Sequence, residues 1–287
     1  MIRKLAFLLG IGLLVTACTS AGASASPWPT PARTYNVATG PDQLVLRIAT
    51  GGGPVPPQYT LTHTPWFVLY GDGLIVMKGA VDSNYPGPLL PNLRQMRVTP
   101  AEMQKILAAA DGAGLLGPDA RFDATDIFDA GTTTFTTTVD AKTHTIGAYA
   151  LGYEVVIADA ALAEARNKLS GFEDALANLA AFLDREISDA EAYGAAAVRL
   201  FASPVESSEQ NGQTVLAWPL SVDPGTAGEA VKAPPSTRCL LLTGSDLQTF
   251  LAATKTANTL TLWTYGTNLY SVLVRPLYPD ETGCPAS

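Results

Sequence analysis

Charge is scarce in this 287-residue chain: Asp, Glu, Lys and Arg make up 15%, against the ~25% usual in soluble domains. So low a fraction, beside 47% hydrophobic residues, excludes a disordered charged tail and a coiled coil. Positive charge is scarcer still. Eighteen Lys+Arg face 26 Asp+Glu, a formal balance of -8, which argues against nucleic-acid binding because that needs a basic face to displace counterions. Only two histidines and three cysteines are present, too few for a His-rich or Cys-rich metal cage. No Cys-x-x-Cys occurs, which removes a dithiol redox centre. Long apolar runs are also missing. The longest, Leu5 to Val15, spans about eleven residues, too few to cross a ~30 Å hydrocarbon core. What remains is a chain with ample apolar material for a core of one large or two smaller domains.

The short apolar run has a different meaning at the amino terminus. Arg3 and Lys4 precede it and the small residues Thr16 and Ala17 follow, the layout of an export signal covering residues 1–17. Val15-Thr16-Ala17-Cys18 resembles the lipobox of bacterial lipoproteins. The resemblance implies cleavage before Cys18, a diacylglyceryl group on its thiol, usually an acylated new amino terminus, and anchoring by two or more acyl chains. Residues 18–34 then read as the lipidated cysteine and a Ser/Ala/Pro-rich tether, with Trp28 its one large aromatic. Without Arg3 and Lys4 the balance becomes 16 basic against 26 acidic side chains. Anionic headgroups repel such a domain, so lipid must make the attachment. The implied location is the extracytoplasmic face of a bacterial membrane. Export makes the compartment oxidising, and Cys239 and Cys284 are left as an even pair, read as one disulfide worth about 4 kcal/mol in the chain-entropy model.

The rest of the chain reads as α+β, with antiparallel sheets, helices packed on one face, a domain at 35–190 and a smaller one at 191–287. Residues 43–50 alternate as a strand, and Gly51-Gly52-Gly53 breaks it. Pro54, Pro56 and Pro57 argue against a helix there. Residues 66–70 and 74–77 around Gly71-Asp72-Gly73 predict a hairpin, with Asp72 as turn chemistry rather than a metal ligand. Thr99, Pro100 and Glu102 predict a capped helix start, and that helix ends near Gly112 and Gly114. A second hairpin is expected at 132–151, turning at Asp140-Ala141-Lys142, and then an alanine-rich helix over 157–187 with a stripe from Leu162 to Leu183. Strands at 198–201, 215–220 and 239–242, a helix at 245–256 and a last hairpin at 260–277 complete the pattern.

Residues 98–116 align with 242–260 without gaps at seven identities, among them Thr99/Thr243, Gln104/Gln248 and Leu107/Leu251. This points to two related strand–helix–hairpin units.

Chemistry has few places to reside. Gly-x-Ser-x-Gly and Ser-x-x-Lys are absent, and the only histidine bases, His63 and His144, sit in Thr-rich segments expected to be solvent-facing strands. Asp123, Asp126 and Asp129, spaced by three, form the one acidic constellation and a candidate Ca²⁺ or ligand loop, although the spacing departs from the EF-hand pattern. A carboxylate hydrolase would use Asp123 or Asp126 with Glu102. Trp66, Trp218 and Trp263 fall in strands, where aromatics more often build core than line a groove.

In the order of its Tyr-Gly-Asp-Gly hairpin, Thr-capped helix, Thr-rich hairpin and following helix, the chain resembles bacterial envelope lipoproteins of unknown function. The resemblance implies export and anchoring, and brings no catalytic residues. The paired α+β layout is also similar, at the level of fold alone, to secreted β-lactamase-inhibitor proteins, which bind another protein on a concave sheet. The expectation is a non-catalytic module for a protein, peptide or glycan. The alternatives are the carboxylate hydrolase and a calcium-stabilised structural module.

Overall fold

The computed structural model describes residues 33–81, 84–185, 190–206, 209, 211–232 and 234–285. The segment read as an export signal, Cys18, Trp28 and the part of the expected tether up to residue 32 lie outside the described residues.

The fold is α+β, with two sheets. The first is built from β1 (Leu44–Gly51), β2 (Phe67–Tyr70), β3 (Leu74–Lys78), β4 (Leu93–Arg97), β5 (Ala120–Arg121), β6 (Thr132–Val139), β7 (Lys142–Tyr149) and β8 (Glu191–Ala192). Their order is β5-β7-β6-β1-β2-β3-β4-β8, antiparallel except for β5 against β7. The second contains β9 (Ala197–Val205), β10 (Val215–Ala217), β11 (Glu229–Ala230), β12 (Arg238–Thr243), β13 (Leu262–Tyr265) and β14 (Asn268–Pro276). Here the order is β10-β13-β14-β9-β12-β11. Because β8 pairs with β4, the chain leaves the first sheet only after Ala192.

Alternation decides what each sheet buries. Leu46, Ile48, Phe67, Leu69, Ile75, Phe135 and Ile146 point to one side of the first sheet, where α2 (Pro100–Gly112), α3 (Ala160–Ala177) and α4 (Leu179–Leu183) cover them. Thr99 caps α2 as expected: its hydroxyl accepts from the Glu102 N–H, and Glu102 accepts from the Thr99 N–H at 2.7 Å. The single helix expected at 157–187 is interrupted. Asn178 adopts φ -111 and ψ 52, so α3 ends and α4 restarts, and Leu176, Leu179 and Leu183 are all buried.

In the second sheet α5 (Gly244–Thr254) packs Leu247 and Phe250 against Val198, Leu200, Leu240, Leu242 and Trp263. Trp218, Phe250 and Trp263 form one aromatic cluster, with ring centroids 5.7–5.9 Å apart. Trp218 and Trp263 are buried, and Trp66 packs against the larger core.

Both halves run strand, helix, hairpin, and the aligned segments place Met103/Leu247 and Ile106/Phe250 in their cores. The hairpins dock differently. In the first sheet the leading strand, β6, lies against β1, whereas in the second the trailing strand, β14, lies against β9. Thr243 also makes no side-chain cap.

Two turns show why the sequence permits this path. Gly73 has φ +82, which the hairpin needs; Gly71 is required for space, since a Cβ there would lie 1.7 Å from the Ala38 carbonyl oxygen. Asp140 and Ala141 both take positive φ (54 and 59), the geometry of a two-residue hairpin turn.

The carboxyl-terminal segment, residues 277–284, joins the two sheets. From the first sheet, Arg47 Nη2 donates to Asp280 at 2.7 Å and Tyr70 Oη donates to the same carboxylate at 2.6 Å. From the second, Arg275 makes a two-pronged pair with Glu281 at 2.7 and 2.6 Å, and Arg199 donates to the carbonyls of Thr282 and Gly283. Tyr278 is buried among Val68, Tyr70, Val76 and Leu93, on the side of the first sheet away from its helices. Cys239–Cys284 forms the expected disulfide, with Cα atoms 6.0 Å apart. A surface loop adds a second tie: Leu89 enters the core of the second sheet while Gly87 O accepts from Thr259 N–H at 3.0 Å.

Candidate functional site

A short helix that composition argued against places the best site. α1 (Pro57–Thr62) starts at Pro57, where a missing N–H costs nothing because the first helical N–H groups have no partner inside the helix. His63 caps it and donates its backbone N–H to Tyr59 O at 2.8 Å. It is therefore not in a strand.

Beside α1 opens a cleft of about 320 Å³, walled by Tyr59, Ala80, Val81, Pro88, Leu90 and Pro91, with His63 and Lys78 as its basic groups. The wall carrying Pro88 and Leu90 is the loop tied into the second sheet, so the cleft sits where the halves meet.

Two features set His63 apart. Its carbonyl accepts from Arg275 Nε at 3.0 Å, which couples it to β14 and through Arg275 to Glu281. Its ring lies against Tyr59, centroids 4.9 Å apart, with Nε2 buried and lacking a hydrogen-bond partner among the described residues. Desolvation lowers the imidazole pKa, and the charges of Lys78 and Arg275 lower it further, against a raising hydrogen bond to the Thr50 backbone. A neutral ring results near pH 7. Lys78 stands at the rim, exposed, its pKa lowered by partial desolvation. It makes no ion pair among the described residues. Chemically the cleft offers apolar walls, one ammonium and one neutral imidazole. That suits a ligand with an apolar body and an acceptor or anionic end.

The other histidine is structural. His144 lies in β7 as expected but faces inward, 7% exposed, and its Nδ1 donates to Gly117 O at 2.6 Å. Its register partner Thr137 is on the helix-covered side, which threonines on both faces of β6 left ambiguous.

The acidic constellation does not converge. Asp123 accepts from Arg121 at 2.9 and 3.2 Å and from Tyr149 N–H at 2.9 Å; although desolvation opposes ionisation, these contacts hold its pKa below the usual carboxylate value. Asp126 and Asp129 are exposed, Asp129 with φ 60. Among the described residues no three His, Cys, Asp or Glu side chains are grouped to hold a metal. Glu102 is engaged at Thr99 and in an ion pair with Arg185 at 2.7 Å, so it and Asp123 serve separate partners. Asp72 is turn chemistry: it accepts from Leu74 N–H and from Arg97.

Sequence reasoning missed the cleft, and no local pattern marks it. Its walls come from α1, the end of β3 and the 79–92 loop, segments whose apposition only the fold creates. The one available signal was Pro56-Pro57 followed by five residues free of glycine, which permits a helix start. Comparison with protein-family models, with curated proteins and with solved structures gave no match to this chain.

Proposed function

We propose that the chain is an exported lipoprotein, held on the extracytoplasmic face of a bacterial membrane through lipidated Cys18, and that its folded part is a non-catalytic module binding a peptide at the junction cleft. The signal at residues 1–17, the lipobox-like Val15 to Cys18 and the following tether support the first part. The observation that carries the second is the cleft itself: apolar walls at a junction of two sheets, a rim ammonium on Lys78, and His63 with no carboxylate or hydroxyl hydrogen-bonded to its ring among the described residues. A side chain or terminus with an apolar body fits the walls, and its carboxylate pairs with the Lys78 ammonium. Proline-lined walls favour extended peptide, which already lacks internal hydrogen bonds.

Two measurements test this. Radiolabelled palmitate should enter the wild-type chain in bacterial cells and not Cys18→Ala, and that variant should leave the membrane fraction; an unlabelled, soluble wild type overturns the anchoring. For the cleft, an array of extended apolar peptides ending in a free carboxylate should contain binders, weakened roughly tenfold by Lys78→Met and by amidating the carboxylate. Chemical turnover of a bound peptide, or binding indifferent to Lys78, overturns the module reading.

A further inference from the structure

Away from the junction, a second hollow of about 330 Å³ lies between α3 and the 151–157 loop, lined by Arg166, Asn167, Ser170, Gly152, Tyr153 and Glu154 among others. Arg166 is its unusual member. The residue is only 5% exposed, although a buried guanidinium is costly unless an anion meets it. The carboxylate whose charge it feels, Asp123, is hydrogen-bonded by Arg121, so the three side chains together retain one positive charge.

The hydrogen bonds of Arg166 define what it still offers. A guanidinium has five N–H donors. Nη1 donates to Phe122 O and to Tyr149 O at 2.8 Å, and Nη2 donates once, to Ala150 O at 2.6 Å. Nε–H and the second Nη2–H have no acceptor among the described residues. An Nε–H and an Nη2–H on one edge of a guanidinium run parallel and dock a carboxylate with two hydrogen bonds. The three carbonyls thus fix the plane of the group and leave two of its five donors, one of them on Nε, unused. Asn167 and Ser170 border the same hollow from the same helix, and neither side chain makes a hydrogen bond within the described residues.

We infer that this hollow is a binding site for a small organic carboxylate, with the Nε–Nη2 edge of Arg166 as the docking fork and Asn167 and Ser170 as flanking donors. The carbonyl clamp preorganises the fork, so little rotamer freedom is lost on binding. Glu154 at the rim, exposed and without an ion pair among the described residues, repels a second negative charge and favours a monoanion. The site is independent of the junction cleft, and either can fail without the other.

The test is a titration of the mature, disulfide-bonded chain with sodium acetate, followed by amide chemical shifts, with sodium chloride at equal ionic strength as the control. Acetate should move the amides of residues 152–154 and 166–170 with millimolar affinity while chloride does not. N-acetylalanine, compared with acetate, separates a peptide terminus from a free acid by its tighter binding. The paired change Asn167→Leu, Ser170→Leu lies on the outer part of α3 and leaves the carbonyl clamp in place; it should weaken acetate at least tenfold. Glu154→Gln should tighten it several-fold. Equal shifts from acetate and chloride, or acetate binding unchanged by the paired leucines, overturn the assignment.

Discussion

Glu281 is the residue whose removal tests most directly how the two sheets are held together. Its side chain is 17% exposed and that of Arg275 is 9% exposed, so the pair is largely out of water. Glu281 also accepts the Tyr278 N–H at 3.0 Å, which fixes the start of the carboxyl-terminal segment. Deleting one partner of a buried pair leaves the other charge uncompensated, at a cost of about 3–5 kcal/mol. Glu281→Ala should therefore lose about 4 kcal/mol, a large share of the ~5–15 kcal/mol typical of a folded domain. Glu281→Gln keeps an acceptor for Tyr278 and should lose about 2 kcal/mol.

The pH dependence gives an independent check on the same residue. Desolvation alone would raise the carboxyl pKa, but the hydrogen bonds and charge of Arg275, with the Tyr278 N–H, hold it below its ordinary value of 4.5. The folded state therefore releases this proton more readily than the unfolded state. The stabilisation is fully present above pH 4.5 and is lost as pH falls through the folded value. Urea unfolding followed by tryptophan fluorescence, with the disulfide intact, measures the difference between wild type and Glu281→Gln at pH 7 and pH 3. That difference should shrink at the lower pH. A loss below about 1 kcal/mol for Glu281→Ala, or a gap to the glutamine variant that is the same at both pH values, refutes the clamp.

Glu173 predicts the opposite slope. Burial raises its pKa to about 7, against the hydrogen bond it accepts from Trp66 Nε1–H at 3.1 Å. The folded state holds this proton longer than the unfolded one, so stability should fall as pH rises from about 4.5 to about 7 and level off above. Glu173→Gln should abolish that slope and be more stable at pH 8 by roughly 3 kcal/mol; thermal melts across the range decide it, and an unchanged slope refutes it. Reduction, or Cys239→Ser with Cys284→Ser, opens a loop of 45 residues. The chain-entropy model gives a loss of about 4 kcal/mol, readable as a lower urea midpoint, and a change under 1 kcal/mol would mean that Arg199, Arg275 and Tyr278 hold the segment unaided.

Much of the fold was legible in local pattern. Thr99-Pro100-Ala101-Glu102 specifies a capping box whatever surrounds it, because all the groups involved lie within one turn. The hairpin around Gly71-Asp72-Gly73 and the one around Asp140-Ala141 follow equally from alternation and turn chemistry. Less was legible where two readings share one local pattern. The threonine triplets of β6 put the same residue on both faces and do not say which face is covered, so inward His144 looked like a surface residue. The apolar stripe from Leu162 to Leu183 continues past Asn178, yet the helix does not.

The division between sequence and tertiary structure has a physical origin. By itself the sequence determined the α+β pattern and the even cysteine pair, since each depends on neighbouring residues or on counting. Tertiary structure alone decided which polar groups meet and which are left over. Arg275 finds Glu281 six residues away but reaches His63 across 212, and Arg47 finds Asp280 across 233. Arg166 is buried by contacts with Phe122, Tyr149 and Ala150. An unused donor or an unpartnered ring nitrogen is defined by everything that failed to reach it. That is a property of the packed molecule, and no window of sequence contains it.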